Sequence, residues 1–584
     1  MNNQRNLILT VVLTGLLLIG WDFAMRWFYP QPAKPAATAT VPAASSTAKP
    51  TREGGLTDAG AIALEKKDLA AELAAPTRVR VDAPAVKGSI NLVGAQIDDL
   101  TLVRHTETIE KNSGPVRLFS PAGTPAQYYA RFGWVGEGVQ VPDAGAVWQA
   151  DGKVLSPKTP VTLTWANPTG QVFAIRYQID DNYLITATQS VINRGPGPVV
   201  VKPYAQLNRT SATASLDTWN VHSGPIGAFG GSVTFGNNYK DVDEAEGRLV
   251  APADRTDWIG FTDIYWLSTL IPDAQGEGKG DFFSAGGQLY RADLIYGPVP
   301  VQPGATLTRT TRLFAGAKEN KVLETYEATG IPNFSLSIDW GWFRWFEKPI
   351  FWLLDALFRT INNFGLAIIG LTFIVRGIMF PIAQRQFASM AAMRAIQPKM
   401  KALQERYKDD RQKQQEEIMA LYKKEGVNPL AGCLPIFLQI PVFFALYKVL
   451  VLSIEMRHQP FALWIKDLSA PDPLHLLNLF GLLPFTPPSF LGIGVLALLL
   501  GVTMYFQFKL NPAQMDPVQQ QMFSLMPWVM MFVMAPFAAG LLIYWITSNL
   551  LTIAQQKYLY SRHPQLAAQA EKETQDKNRA KARG

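Results

Sequence analysis

The residue that suggests a function most directly is an arginine inside an apolar stretch. Residues 361–383, INNFGLAIIGLTFIVRGIMFPIA, are apolar enough to enter a membrane but contain Arg376. An unpaired arginine at the centre of a bilayer costs about 2.5–3.5 kcal/mol on insertion scales, so such residues usually face a bundle interior or a water-filled cavity. Thr372 lies one helical turn earlier, on the same face. The pattern indicates a polar, positively charged site at membrane depth.

An alternative is that Arg376 only reaches the membrane surface with its long side chain. The predicted span ends near Ala383, about 10 Å further along the helix, and an arginine side chain bridges much of that distance. Against this alternative, the predicted spans that follow the anchor contain no Asp or Glu that would neutralise the guanidinium. An intramembrane arginine without an internal carboxylate requires water or an incoming anion. We therefore favour a wet cavity with a positive wall.

Further polar side chains in the predicted spans form a set with Arg376. Ser, Thr and Gln hydrogen-bond routinely between membrane helices, so each residue alone is more typical of helix packing than of a site. The set consists of Thr372, Gln439, Thr503, Gln507, Ser524, Thr547, Ser548 and Asn549.

The sequence lacks the motifs of several kinds of catalytic chemistry. The single cysteine, Cys433, allows no intramolecular disulfide and no thiolate metal site. The five histidines show no ligand spacing such as HExxH, and the sequence has no GxxxxGK(S/T) phosphate loop. We therefore predict no cofactor, no metal and no enzymatic activity, and we do not expect ATP hydrolysis by this chain to drive its work.

The first 75 residues predict a membrane anchor followed by a tether. MNNQR precedes an apolar run of about 23 residues, which is long enough to cross roughly 30 Å of hydrocarbon. A cleaved signal peptide is the alternative, but the run is long and ends in aromatic residues typical of a membrane interface. We assign 1–29 to a transmembrane anchor and 30–75, rich in Pro and Ala, to a disordered linker.

Residues 76–335 predict a large antiparallel β-sandwich. Short runs of alternating residues, such as VTLTWANPTGQVFAIRYQI, are separated by turn residues and show no helical periodicity. After an anchor with a cytoplasmic N-terminus, such a domain belongs outside the cytoplasm. Exposed Trp and Tyr could stack on carbohydrate, and Asp180 and Asp181 could form a carboxylate pair, but neighbours on a strand point to opposite faces. We interpret the domain as an interaction or spacing domain.

The remaining residues predict a helical membrane bundle. Residues 336–358 mix Trp and Phe with too many charges to cross a bilayer, which suits an amphipathic helix on the outer membrane surface. The excess of Lys and Arg in the other polar segments places both termini in the cytoplasm and gives six spans with the anchor. The predicted segments are transmembrane helix 361–383, cytoplasmic hairpin 384–426, transmembrane helix 427–452, external loop 453–489, transmembrane helix 490–508, cytoplasmic loop 509–521, transmembrane helices 522–538 and 540–559, and basic cytoplasmic tail 560–584.

The hairpin 384–426 is rich in Lys and Arg and predicts two antiparallel helices with a break at Asp409 and Asp410. One interpretation is a solvated charged surface, and the other is a docking surface for anionic partners such as ribosomal RNA or lipid headgroups. The residues that we assign to docking are Arg394, Lys399, Lys401 and Arg406.

Four stretches resemble one protein family. FGLAIIGLTFIVRGIMFPI, NPLAGCLPIFLQIPVFFALY, FALWIKDLSAPDP and GLLIYWITSNLLTIAQQ are similar to the YidC membrane-protein insertases of Gram-negative bacteria. The likeness covers about 336–560 closely, whereas the anchor and the external domain fit in layout rather than by motif. The resemblance implies an α-helical integral membrane bundle in the inner membrane with a five-helix conserved core, and a periplasmic β-supersandwich similar to sugar-binding folds.

The resemblance also implies an insertase and chaperone with a hydrophilic groove, open to the cytoplasm and to lipid, whose arginine matches Arg376. An aromatic pair of the last span stands here as Tyr544 and Trp545, where some relatives carry two tyrosines. Implied partners are nascent membrane proteins, the ribosome at the cytoplasmic loops and tail, Sec translocon subunits and anionic phospholipids. The substrate groove that we expect consists of Arg376, Thr372, Gln439, Thr503, Gln507, Ser524, Tyr544, Trp545, Thr547 and Ser548.

A secondary transporter or channel is the alternative function. Such a protein would show inverted repeats and paired intramembrane ions. We find no repeat between the predicted spans and count Arg376 as their one charge, so the insertase is favoured.

Overall fold

The computed structural model contains a β domain followed by a helical part. It describes residues 53–217, 221–252, 255–273, 278–408, 410–426, 434–480, 482–483, 492–510 and 517–562. The predicted anchor at 1–29, the first part of the predicted linker and residues 563–584 of the predicted tail lie outside the described residues.

The described part of the β domain contains two sheets, whose strands are antiparallel except where β1 pairs with β7. The larger sheet has 11 strands. They are β1 (Arg78–Asp82), β2 (Val86–Asn91), β3 (Gln96–Thr106), β4 (Pro115–Phe119), β5 (Tyr128–Glu137), β7 (Val154–Leu155), β11 (Val199–Thr210), β14 (Arg248–Val250), β17 (Lys279–Gly286), β18 (Leu289–Ile295) and β19 (Val299–Val301). The 9-stranded sheet contains β6 (Gln149–Ala150), β8 (Val161–Ala166), β9 (Gln171–Ile179), β10 (Leu184–Asn193), β12 (Gly224–Phe229), β13 (Ser232–Thr234), β15 (Thr256–Thr262), β16 (Trp266–Pro272) and β20 (Thr306–Ala317).

The two sheets pack face to face through their apolar side chains. In β10, more and less buried residues alternate along the whole strand, as expected for one face in a core. Phe132 of the larger sheet lies 5.9 Å from Tyr177 of the smaller one, and Tyr128 lies 6.3 Å from Phe261, between ring centroids. These contacts confirm the β-sandwich.

The prediction of a disordered linker is wrong over its last part, because Ala59–Leu73 forms helix α1. Its sequence, AGAIALEKKDLAAEL, consists mostly of strong helix formers. Asp58 caps the helix by accepting a hydrogen bond from the backbone N–H of Ala61 at 2.8 Å. The Glu65 carboxylate accepts a bond from the backbone N–H of Ala126 at 2.8 Å and so ties the helix to the β domain.

The expectation that Asp180 and Asp181 are neighbours on a strand is wrong. Both residues lie between β9 and β10, in the turn and not on a strand. Asp180 accepts hydrogen bonds from the backbone N–H groups of Asn182 and Leu184 and from the Tyr326 hydroxyl. Its carboxylate therefore holds the turn and a neighbouring helix together, which is a structural role.

The helical part begins with two 3-10 turns, Phe334–Ser337 and Gly341–Phe343, and has a third at Ile454–Met456. Two helices precede it within the β domain, α2 (Tyr239–Glu244) and α3 (Asn320–Ala328). The helices of the helical part are α4 (Arg344–Ile361), α5 (Phe364–Ala395), α6 (Gln397–Arg406), α7 (Arg411–Glu425), α8 (Leu434–Leu452), α9 (Val495–Leu510), α10 (Pro517–Met534) and α11 (Ala539–Arg562). Helix α11 packs against α5, α8 and α9, and therefore lies at the centre of the described bundle.

Several helix ends differ from the predicted segment ends. Helix α5 continues past 383 to Ala395, because the residues after the apolar run, QRQFASMAAMRA, are also good helix formers. Helix α10 begins at Pro517 rather than at 522, and proline is favoured in the first turn of a helix. Helix α9 begins at Val495 rather than at 490. Hydropathy reports where a helix is apolar, whereas capping and propensity decide where it ends.

Among the described helices, Phe364–Gln384 is long and apolar enough to cross a membrane, with a mean hydropathy of 2.1. Three shorter apolar segments are Gln439–Leu452, Val495–Lys509 and Ser524–Met534. Helix α4 buries Glu347, Ile350 and Leu354 on one face. Its Trp345 and Trp352 are each 69% exposed, as expected for an amphipathic helix.

Candidate functional site

The side chain of Arg376 on α5 contacts helix α11. Its Nε donates a hydrogen bond to the Ser548 hydroxyl at 3.0 Å, and its Nη2 contacts the same oxygen. Ser548 is buried and Arg376 is partly buried. Among the described residues, Arg376 forms no ion pair with a carboxylate. The guanidinium therefore lies between helices, and its described hydrogen-bond partner is a neutral hydroxyl.

A second contact is formed one turn earlier on α11. The Gln439 side-chain amide on α8 donates a hydrogen bond to the Tyr544 hydroxyl at 2.7 Å. Because Tyr544 and Ser548 are four residues apart, they lie on the same face of α11. Trp545 packs beside Phe443 of α8, with ring centroids 4.8 Å apart. This face of α11 thus bonds to both α5 and α8.

Two threonines of the predicted set bond within their own helices. The hydroxyls of Thr372 and Thr547 donate to the carbonyls of Ile368 and Ile543, at 2.7 and 2.8 Å. Such bonds to the residue four positions earlier are common for threonine in helices. They use the hydroxyl protons locally, so neither threonine offers a donor to a neighbouring helix.

The remaining residues of the set lie on α9 and α10. The Thr503 hydroxyl accepts a bond from the Asn549 side-chain amide at 3.2 Å, which joins α9 to α11. Gln507 is partly buried and Ser524 is exposed. The structure therefore brings Arg376, Ser548, Tyr544 and Gln439 together and adds Thr503 through Asn549.

The sequence analysis missed a second charge within the predicted spans, Lys448 on α8. Its Nζ donates to the Asp339 carbonyl at 2.7 Å and lies 3.8 Å from an Asp339 carboxylate oxygen. Lys448 lies within the predicted span 427–452, so the sequence alone shows this charge. In the structure its side chain is only 3% exposed. Lys448 has an acidic partner, whereas no described carboxylate pairs with Arg376.

Of the predicted docking residues, Arg394 lies on α5, and Lys399, Lys401 and Arg406 lie on α6. The Lys399 ammonium forms a salt bridge with the Glu425 carboxylate at 2.6 Å and so joins α6 to α7. The Arg406 guanidinium lies 5.8 Å from the centre of the Tyr407 ring. The structure does not describe the side chains of Arg394 and Lys401. An exposed ion pair such as that of Lys399 contributes little to stability.

The chain matches two family models and many relatives. A model for the 60Kd inner membrane protein matches residues 356–566, and a model for the YidC periplasmic domain matches 78–353. The membrane protein insertase YidC of Zymomonas mobilis is 46% identical over 565 residues, which cover 96% of each chain. That of Mesorhizobium japonicum is 42% identical over 592 residues, again 96% of each chain.

The chain belongs to the YidC membrane protein insertase family. It is therefore a membrane protein insertase of the inner membrane with a periplasmic β-sandwich domain, and the resemblance in its sequence is confirmed. The transporter alternative has no support among the relatives. A crystal structure of an active YidC insertase with its first transmembrane domain resolved aligns over 82% of this chain and 92% of that chain, with 18% identity and a TM-score of 0.36.

Proposed function

We propose that Arg376 and the polar face of α11 form a hydrated groove that receives the polar N-terminal tail of a nascent membrane protein. The observation that carries this proposal is the unneutralised guanidinium: Arg376 is partly buried, donates to Ser548, and has no described carboxylate partner. A buried cation without a counter-ion is costly, so water or an incoming anion must complete it. An acidic tail supplies that anion.

The groove lowers the barrier to insertion by shortening the apolar part of the path. Water beside Arg376 reduces the cost of removing the polar tail from solvent. The apolar segment of the client then slides along the lipid-facing side of the helices and partitions into the bilayer, which supplies the driving force. A membrane potential positive outside favours outward movement of an anion by about 2.3 kcal/mol per charge per 100 mV. No covalent bond is made or broken.

The proposal extends to topology and partners. Six spans with both termini in the cytoplasm account for the distribution of Lys and Arg in the sequence. The basic hairpin and the basic tail suit the ribosome and anionic phospholipids, and the chain works alone or beside the Sec translocon. These assignments rest on charge and on the family, and the groove residues Arg376, Ser548, Tyr544 and Gln439 are assigned from their contacts.

The experiment compares client tails of different charge in reconstituted vesicles. We expect Arg376→Ala to slow insertion of a short client with an acidic tail about tenfold, which corresponds to the loss of one charge-assisted hydrogen bond. Arg376→Lys should retain most of the activity, and a client with an uncharged tail should respond little to either change. Insertion of the acidic client at the wild-type rate by Arg376→Ala would contradict the proposal.

A further inference from the structure

The loop between α8 and α9 contains a tight turn at residues 461–465 with a leucine at its tip. The backbone N–H of Phe461 donates to the Ile465 carbonyl at 3.0 Å, and the N–H of Ile465 donates to the Ala462 carbonyl at 3.1 Å. Leu463, the second residue of this β-turn, is 88% exposed, more than any other large apolar side chain among the described residues. The turn therefore presents a bulky apolar group to its surroundings.

The backbone of Leu463 adopts a conformation that leucine rarely takes. Its φ angle is 56°, in the left-handed region, where the Cβ atom of an ordinary residue lies too close to the backbone. The second position of a β-turn with positive φ is dominated by Gly, Asn and Asp. A single exposed leucine on a protein surface needs no explanation. A leucine that is both exposed and strained destabilises the fold twice in water, so an apolar environment at this position would explain the residue type.

Contacts on both sides of the leucine hold the turn in place. The side-chain amide of Asn363, just before α5, donates a hydrogen bond to the Phe461 carbonyl at 2.9 Å. The Phe461 ring packs directly on Gly365 of α5, where the Cβ atom of any other residue would overlap the ring. After the leucine, the indole N–H of Trp464 donates to the Asp472 carboxylate at 3.0 Å. The outward position of the tip is therefore fixed by its neighbours.

These contacts place the turn at the periplasmic end of a helix that is able to cross the membrane. Gly365 lies in the first turn of α5, and the segment Phe364–Gln384 of this helix is long and apolar enough to span a bilayer. The same loop reaches the periplasmic domain, because Arg457 donates to the backbone carbonyls of Thr106 and Glu107. The turn therefore lies where α5 enters the periplasmic leaflet of the membrane.

The neighbouring exposed side chains are apolar, with one cation. Ile361 at the end of α4 and Leu366 in the first turn of α5 are both exposed. Lys466, three residues after Leu463, is exposed and forms no ion pair among the described residues. Acyl chains below a layer of phosphates match this combination, because a lysine stem lies along apolar surface while its ammonium reaches the phosphates. A soluble protein partner is a poorer fit, since lipid already surrounds a helix at its entry into the membrane.

We propose that the turn 461–465 inserts the side chain of Leu463 among the acyl chains of the periplasmic leaflet, with Lys466 at the lipid phosphates. Burial of the leucine in lipid offsets the strain of its backbone and removes its apolar surface from water. Because the turn is bonded to the start of α5, it fixes the depth of that helix in the membrane. Arg376 follows Gly365 by 11 residues and so lies about 16 Å deeper, near the middle of a hydrocarbon core of about 30 Å.

Spin labelling of the full chain tests this depth directly. Cys433, the one cysteine of the sequence, is changed to serine, and a nitroxide is attached to Leu463→Cys in nanodiscs of phosphatidylethanolamine and phosphatidylglycerol. Oxygen concentrates among acyl chains, whereas a water-soluble nickel chelate is excluded from them. We expect the label at 463 to collide more often with oxygen than with the chelate. The matched control is Val250→Cys on β14, which is 61% exposed in the β domain and should show the reverse.

The second test uses the strain at Leu463. Asparagine adopts a positive φ more readily than leucine but is polar, so Leu463→Asn should lower the melting temperature in nanodiscs by about 2–4 °C if the side chain lies in lipid. In water the same change would raise it. Leu463→Met keeps an apolar side chain and should melt near the wild type.

Three results would overturn the proposal. The label at 463 could collide with the chelate as often as the label at 250, which would place it in water. It could be protected from both reagents, which would indicate a protein contact. Leu463→Asn could melt at or above the wild-type temperature, with circular dichroism showing that the variant is folded.

Discussion

The hydrogen bond from Arg376 to Ser548 is the residue-scale feature that leaves the proposed groove with a positive charge. A serine hydroxyl satisfies part of the guanidinium without neutralising it, whereas an aspartate at the same place would form an ion pair. The positive charge available to a client thus depends on the partner being neutral. The residue type at 548 is therefore as important to the proposed mechanism as the arginine.

We predict that Ser548→Asp slows insertion of an acidic-tailed client by about the same factor as Arg376→Ala, although the arginine remains. The new carboxylate lies within reach of the guanidinium and competes with the client for it. Ser548→Asn is the control, because it is polar but uncharged and should keep most of the activity. Insertion rates in vesicles give the measurement, and a fully active, folded Ser548→Asp variant would count against the role of an uncompensated charge.

The sequence indicates that Arg376 and Ser548 are polar residues at membrane depth, but it does not show that they contact each other. They are 172 residues apart, and hydropathy does not reveal which faces of two helices meet. Asp180 and Asp181 show the converse problem, since a strand was assumed where the chain turns. Polar residues at membrane depth are visible in a sequence, whereas their partners depend on helix packing.

At the scale of elements, the 3-10 turn Ile454–Met456 joins the bundle to the β domain. The Glu455 carboxylate accepts a hydrogen bond from the backbone N–H of Asn320, at the start of α3, at 3.1 Å. Removal from water raises the pKa of Glu455 from 4.5 to about 7, and the negative charges of Glu319 and Asp355 also raise it. Near neutral pH this contact therefore contains a carboxyl group that gains or loses its proton.

We predict that Glu455 makes the folded protein more stable at pH 6 than at pH 8. Because the pKa is higher in the folded protein, the protonated group stabilises the fold below about pH 4.5, and this contribution is lost as the pH rises through about 7. The expected loss between pH 6 and 8 is about 1 kcal/mol. Thermal unfolding in nanodiscs should show a smaller decrease over this range for Glu455→Gln than for the wild type.

The control for the pH prediction is Glu72→Gln, which changes an exposed glutamate of α1 and should leave the pH dependence as it is. If Glu455→Gln and the wild type lost stability equally between pH 6 and 8, Glu455 would not be the titrating group.

Helix α1 and the end of α5 show what hydropathy and composition leave out at this scale. Residues 30–75 are rich in Pro and Ala overall, but the residues after the capping residue Asp58 are mostly helix formers and form α1. The apolar run ends near 383, but the helix does not. The long apolar segments gave the positions of the bundle helices because burial in lipid requires them, whereas helix ends depend on single residues.

At the scale of the whole molecule, the loop after α8 contacts both the β domain and the segment before α1. Arg457 donates to the Glu53 carboxylate at 2.9 Å and to the backbone carbonyls of Thr106 and Glu107, at 2.7 and 3.2 Å. Its guanidinium also lies 5.3 Å from the centre of the Trp266 ring. With the Lys448 contact to Asp339, these bonds connect the β domain to the helical part near the end of α8.

The family was recognisable from its helical segments, whereas the layout of the β domain was predicted only as a sandwich. The order of strands in the two sheets depends on contacts between residues far apart in the chain, for example β10 with β20. The row of Asp293, Gln206, Arg131 and Gln96 across the larger sheet is a product of that order, since it combines residues of four strands. No local pattern in the sequence brings these side chains together.

The central claim is that a client tail enters the polar groove beside Arg376, and photocrosslinking tests it most directly. The photoreactive residue p-benzoylphenylalanine replaces either Trp545, which we expect to line the proposed groove, or Ile378, which is 73% exposed on the same helix as Arg376. We predict that an acidic client tail crosslinks at position 545 and not at 378, and that Arg376→Ala reduces the crosslink at 545. Insertion that proceeds without a crosslink at 545, or with equal crosslinks at both positions, would contradict the account.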